Sequence, residues 1–156
     1  MSQLNTVNDL VCDFKLQNHT DKLIEFSEIK SSYIVLYFYP KDDTPGCTIE
    51  AKEFSELKSK FEAEDIVIFG ISKDNQISHK KFVEKYSLDI DLLSDDQDIA
   101  EQFGIWVEKS MYGKKYMGIE RTTFLIDKSK KIIKIWNKVK PEGHAAEVLE
   151  YIKSIK

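Results

Sequence analysis

Tyr33-Ile34-Val35-Leu36-Tyr37-Phe38-Tyr39-Pro40-Lys41-Asp42-Asp43-Thr44-Pro45-Gly46-Cys47-Thr48-Ile49-Glu50 sets an unbroken apolar run against a polar turn that delivers a cysteine into a helical pattern. The run 33–39 does not alternate, which suits a central strand buried on both faces. Beyond the turn, Cys47, Ala51, Phe54, Lys58 and Phe61 advance by three or four residues, so they share one helical stripe and the cysteine faces inward. Thr44-Pro45 is a plain helix start, an N-cap residue with proline at the first position. Cys47 thus stands where a strand ends and a helix begins. A helix N-terminus offers unpaired N–H groups and the positive end of the macrodipole, and both favour a thiolate over a thiol.

Working outward, the apolar run 66–71 predicts a second doubly buried strand, which makes strand, helix and strand a βαβ unit. Its cysteine turn lies at the carboxyl end of the first strand, the usual ligand edge of open α/β sheets. Upstream, 14–17 and 23–26 alternate around the turn-rich Asn18-His19-Thr20-Asp21 and predict a β-hairpin. Downstream, 77–86 reads as a helix, 99–103 as a shorter one stopped by Gly104, and 105–119 as a long, partly packed loop in which Trp106, Met111 and Tyr112 are packing residues. The runs 122–126 and 132–136 flank a polar turn and predict a second hairpin. Pro141-Glu142-Gly143 opens a last helix with Ala145, Val148, Leu149, Ile152 and Ile155 on its buried face. This order predicts an α/β fold, a thioredoxin-like sandwich with a central mixed sheet flanked by helices, over a single domain 1–156.

The 156 residues suffice for a real core, and the net charge of −4 disfavours nucleic acid and anionic membranes as partners. No apolar stretch approaches the ~20 residues of a membrane span, and residues 1–5 carry no signal-peptide pattern, so the expected location is cytoplasmic. The two cysteines, Cys12 and Cys47, are too few for a disulfide framework. His19, His79 and His144 lack metal-ligand spacing, so neither metal nor cofactor is expected.

The segment 37–50 resembles the signature of the peroxiredoxins, in particular the peroxiredoxin Q or bacterioferritin comigratory group. A second similarity runs from Phe103-Gly104-Ile105-Trp106-Val107-Glu108-Lys109 through Met111-Tyr112-Gly113 to Gly118-Ile119-Glu120-Arg121-Thr122-Thr123-Phe124-Leu125-Ile126-Asp127. The resemblance implies a thiol-dependent peroxidase that reduces hydrogen peroxide and organic hydroperoxides, with Pro40, Thr44, Cys47 and Arg121 at the catalytic positions. Each role has a physical reason. Arg121 keeps its charge in an apolar site where a lysine readily loses it, and so can hold Cys47 as thiolate. The Thr44 hydroxyl both donates and accepts, so it can orient peroxide and sulfur together. Pro40 has no N–H and can shield the sulfur from water. Glu50 is either a partner of the helix dipole or an orienter of Arg121.

One position departs from the group's pattern. Many relatives carry a resolving cysteine five residues after the first, and here Lys52 stands there. Five helical residues rise about 7.5 Å, so even a cysteine at that place would need the helix to unwind before it could bond. The sulfenic acid formed on Cys47 is then recycled by thioredoxin, glutaredoxin or a low-molecular-weight thiol, or it is resolved by Cys12, within the chain or from a second subunit. The expected assembly is a monomer or weak dimer. A disulfide reductase is disfavoured because Thr44 replaces the first cysteine of a Cys-x-x-Cys pair. A redox sensor or holdase using Cys47 oxidation as its signal is the alternative.

Overall fold

The structure, a computed structural model, describes residues 6–156; residues 1–5, where no signal pattern was found, lie outside the described residues. The run of apolar residues at 33–39 forms β3 (Tyr33–Phe38), the middle strand of a five-stranded sheet. Its odd and even residues serve different cores. Ile34, Leu36 and Phe38 face one cluster, and Val35, Tyr37 and Tyr39 the other. A strand with two buried faces has no place for polar alternation, which is why the sequence there is continuous.

After β3 the chain passes through the cysteine turn into α1 (Pro45–Ala63), then into β4 (Ile66–Ser72), which pairs parallel to β3. Helix α2 (Gln76–Tyr86) leads to β5 (Asp91–Ser94), a short strand parallel to β4 that the sequence pattern did not disclose. On the other side of β3 lies β8 (Thr122–Asp127), antiparallel, and beyond it β9 (Ile132–Trp136). The sheet is therefore mixed, in the order β5-β4-β3-β8-β9, as the thioredoxin-like reading requires. Helix α1, with α2 and α4 (His144–Ile155), covers one face, where Phe54, Phe61, Phe82, Val148 and Ile152 are buried. The other face is closed by α3 (Ile99–Gln102) and the N-terminal hairpin, β1 (Lys15–Gln17) with β2 (Leu23–Glu25). Phe14 and Phe26, which flank that hairpin, stack at 4.8 Å. No helix among the described residues is long and apolar enough to cross a membrane.

Two expectations are corrected. The segment read as a loop is a second two-stranded ribbon, β6 (Trp106–Met111) with β7 (Lys114–Ile119). Its turn is Tyr112-Gly113, both at positive φ (51° and 79°), the backbone that tight hairpins prefer. Most of the ribbon's side chains face solvent, so no apolar alternation marks it. Tyr112 is 97% and Met111 58% exposed, and neither packs in the core. In α4, Ile155 is also exposed, as the last residue of the helix.

Gly70 in β4 is a point of close packing. A Cβ there would lie 2.7 Å from the Tyr37 ring and 2.8 Å from Leu92. Gly70→Ala is therefore expected to destabilise the fold by about 1–3 kcal/mol, the usual cost of overpacking, read as a lower urea midpoint with an unchanged slope.

Candidate active site

Helix α1 begins at the carboxyl end of β3, with Thr44 at its N-cap and Cys47 in its first turn. The first helical bond runs from Thr48 N–H to the Thr44 carbonyl, 2.9 Å, so the N–H groups of Gly46 and Cys47 precede the helical ladder. Cys47 is 1% exposed and sits in the apolar cluster with Tyr37, Tyr39, Ala51 and Phe54. Antiparallel pairing of Phe38 with Thr122 brings Arg121, the residue just before β8, alongside this turn.

Arg121 Nη2 donates to Cys47 Sγ at 3.3 Å, and Nη1 donates to Glu50 Oε1 at 2.7 Å. Burial works against the guanidinium charge, but Glu50 and then Cys47 restore it, leaving Arg121 even harder to deprotonate than a free arginine. Gly46 makes the approach possible, since a Cβ there would come within 3.0 Å of Nη2 and 3.2 Å of the Pro141 ring. Glu50 is fully buried and its Oε2 finds no hydrogen-bond partner. Burial pushes its carboxyl up to about 7, against the pull of Arg121. Of the two roles open to Glu50, the one realised is contact with Arg121.

The other expected residues are arranged differently. Thr44 caps by position only: its hydroxyl turns back to donate to the Lys41 carbonyl at 2.9 Å, keeping its acceptor lone pairs free. Pro40 is half-buried at the start of the same turn. Cys12 does not join the group. It is exposed, and the neighbouring Val11 N–H donates to the Lys130 carbonyl in the β8–β9 turn, at the far end of β8 from Arg121. A six-residue strand spans roughly 17 Å, whereas a disulfide needs Cα atoms about 4.4–6.8 Å apart. Within one folded chain this separation argues against a direct Cys12–Cys47 bond. Lys52, at the other resolving position, lays its ammonium 5.8 Å over the Tyr86 ring.

Sequence reasoning missed the clasp that holds the turn. Asp42 is buried, accepting from the Tyr39 hydroxyl at 2.6 Å and the Ser78 hydroxyl at 2.8 Å, with His79 Nδ1 2.7 Å away. His79 Nε2 faces the Leu93 carbonyl at 3.0 Å. Burial, and after it the Asp42 charge, keep the Tyr39 phenol protonated and able to donate. The Asp42 N–H donates to Asp74, and Asp43 accepts from Lys85 and Tyr86. The turn is thereby tied to both ends of α2. Asp42 and His79 lie 37 residues apart, and the only signal in the sequence was a histidine inside a helix's apolar pattern.

A thioredoxin-like sheet that presents a buried cysteine at a helix start, against an arginine, defines the class of peroxide-reducing thiol enzymes. The comparisons agree. The AhpC/TSA family pattern matches residues 7–135. Peroxiredoxin Bcp of Bacillus subtilis (strain 168) is 49% identical over 144 residues, covering 92% of each chain. A protein of Coxiella burnetii named putative peroxiredoxin bcp is 47% identical over 87% of this chain and 91% of its own. Among solved structures, a cysteine-to-serine variant of Xylella fastidiosa PrxQ matches with a TM-score of 0.91 at 35% identity, covering 96% of both chains. The bacterioferritin comigratory protein of Xanthomonas campestris, studied for alkyl peroxide reduction, matches at 0.85 and 34%, covering 94% of this chain and 98% of that one. The chain belongs to the AhpC/TSA family and is a peroxiredoxin, a thiol-dependent peroxidase. The sensor or holdase alternative is not favoured by these relatives.

The position of Glu50 has a consequence for stability. Its folded value of about 7 lies above the ordinary 4.5, so the folded chain holds this proton more tightly than the unfolded chain does. The stability from that difference is complete below the unfolded value and disappears as pH rises through about 7. Urea unfolding at pH 5 and pH 8 should show a loss on the order of 3 kcal/mol in the parent that Glu50→Gln lacks, whatever that variant's absolute stability.

Proposed function

We propose that Cys47 is the residue oxidised by peroxide, that Arg121, Thr44 and Pro40 frame the reaction, and that an external thiol completes the cycle. The carrying observation is the 3.3 Å contact of Arg121 with the Cys47 sulfur. The Cys47 thiolate attacks the terminal oxygen of a hydroperoxide. The S–O bond forms as the O–O bond breaks, giving Cys47 sulfenic acid and an alkoxide or hydroxide that takes a proton from solvent. Negative charge moves from sulfur to the departing oxygen, and a guanidinium with parallel donors can follow it. The free N–H groups of Gly46 and Cys47 add fixed dipoles at the same place. Thr44, with open lone pairs, accepts from the peroxide O–H and holds it in line. Pro40, at the start of the turn, offers water no N–H.

Hydrogen peroxide and small organic hydroperoxides are the substrates this reading names. In support, the Xanthomonas campestris relative has been studied for alkyl peroxide reduction. Lys52 and the remote Cys12 leave Cys47 without a neighbouring sulfur, which supports reduction by thioredoxin, glutaredoxin or a small thiol. Cytoplasmic location and a monomeric or weakly dimeric state complete the reading.

Peroxide consumption with a supplied thiol tests it. Cys47→Ser should abolish turnover, whereas Cys12→Ser should keep it. Arg121→Gln should slow oxidation of Cys47 by roughly 10²-fold, with Arg121→Lys recovering only part, because a lysine ammonium cannot serve sulfur and Glu50 through two parallel donors. Turnover by Cys47→Ser at the parental rate would overturn the assignment.

A further inference from the structure

Lys109 is unusual on its ribbon. Neighbours Glu108 and Ser110 are exposed, yet Lys109 is half-buried. Its stem lies across Gly118, where a Cβ would come within 3.2 Å of Cδ and 3.4 Å of Cε. Gly118 is three residues before Arg121, so the stem follows the chain toward the active site. Among the described residues Lys109 has no ion pair and no side-chain hydrogen bond. After burial, the charge that most opposes its ammonium is Arg121, while Cys47 and Glu120 favour it, so it lies within electrostatic reach of the reacting sulfur.

This cation has a distinct effect in each half of the cycle. In the reduced enzyme the Cys47 thiolate answers the positive charge around it. Oxidation converts that thiolate to a neutral sulfenic acid, and Glu50 can answer only Arg121. Lys109 then keeps only Glu120 to answer its charge, within electrostatic reach of a sulfur that awaits a nucleophile.

We infer that Lys109 is the recognition group for the reducing substrate, and that it selects small thiols bearing a carboxylate. The inference rests on the reading of Cys47 as the oxidised residue. In the step concerned, the thiolate R–S⁻ attacks the sulfenic sulfur. An S–S bond forms, the S–O bond breaks, and hydroxide leaves to become water with a proton from solvent. A second thiolate then attacks the R sulfur of the mixed disulfide, releasing R–S–S–R and the Cys47 thiolate. Lys109 touches the carboxylate, not the reacting sulfurs, and so sets specificity.

The test separates the half-reactions. The full chain in a Cys12→Ser background is oxidised with one equivalent of hydrogen peroxide, and the sulfenic acid is confirmed by intact mass. Its reduction is then timed with 3-mercaptopropionate, 2-mercaptoethanol and cysteamine at equal thiolate concentration. The expected advantage of the anionic over the neutral thiol is about fivefold at low salt, shrinking as salt is added. Lys109→Gln should remove it, Lys109→Glu should reverse it in favour of cysteamine, and Lys109→Arg should retain it. Comparing each variant's anionic-to-neutral ratio cancels the thiols' different intrinsic reactivities. An unchanged ratio in Lys109→Gln would overturn the inference while leaving the peroxidatic role of Cys47 intact. Failure of peroxide to form any sulfenic acid would overturn that role, and this inference with it.

Discussion

A guanidinium held between a carboxylate and a sulfur, inside an otherwise apolar cluster, is the constraint on which the architecture depends. Neither Glu50 nor Arg121 could be buried alone without a penalty of several kcal/mol, and the one charge-assisted hydrogen bond between them offsets part of it. Glu50 reaches Arg121 only if α1 packs its inner stripe on the sheet. Arg121 reaches the helix only if β8 runs antiparallel to β3 in the observed register. The requirement extends to Gly46, where any side chain would press on the guanidinium. One contact thus links a helix start, a strand pairing and a missing side chain.

The clasp around Asp42 serves a different purpose. The turn 40–44 makes few helical or sheet bonds of its own, and a loop so placed would ordinarily be mobile. Tyr39, Ser78 and His79 hold Asp42 from inside, while Lys85 and Tyr86 hold Asp43 from outside. Pro40 takes its position from this anchorage, and Thr44 from both the anchorage and its N-cap bonds to Thr48.

Legibility in the sequence followed burial. Strands β3 and β4 were plain because both faces are covered, and α1 was plain because its stripe continues for several turns. The β6–β7 ribbon lay hidden because it exposes most of its side chains and turns on Tyr-Gly rather than on a familiar Asn-Gly pair. Strand β5, four residues long at a sheet edge, offered too little pattern to read. The cysteine and its helix could be argued from local spacing. Arg121, 74 residues away, had no local signal and came from resemblance. The pairing of Asp42 with His79 had no signal beyond a histidine inside a helix's apolar pattern, since a hydrogen bond between distant residues leaves no period in the chain.

The sheet order also bears on the chain's history during synthesis. Strands β3 and β4, with α1 between them, are complete once residue 72 has been made, and they already present Cys47 at its helix start. Strand β8 enters beside β3 only after another fifty residues, the slow, long-range pairing of this topology. Until it does, the sulfur has its helix but not its guanidinium, and Glu50 has no cation to answer it. The nascent chain can therefore set its cysteine at a helix start well before the Arg121 contact forms, and that contact waits on the docking of β8.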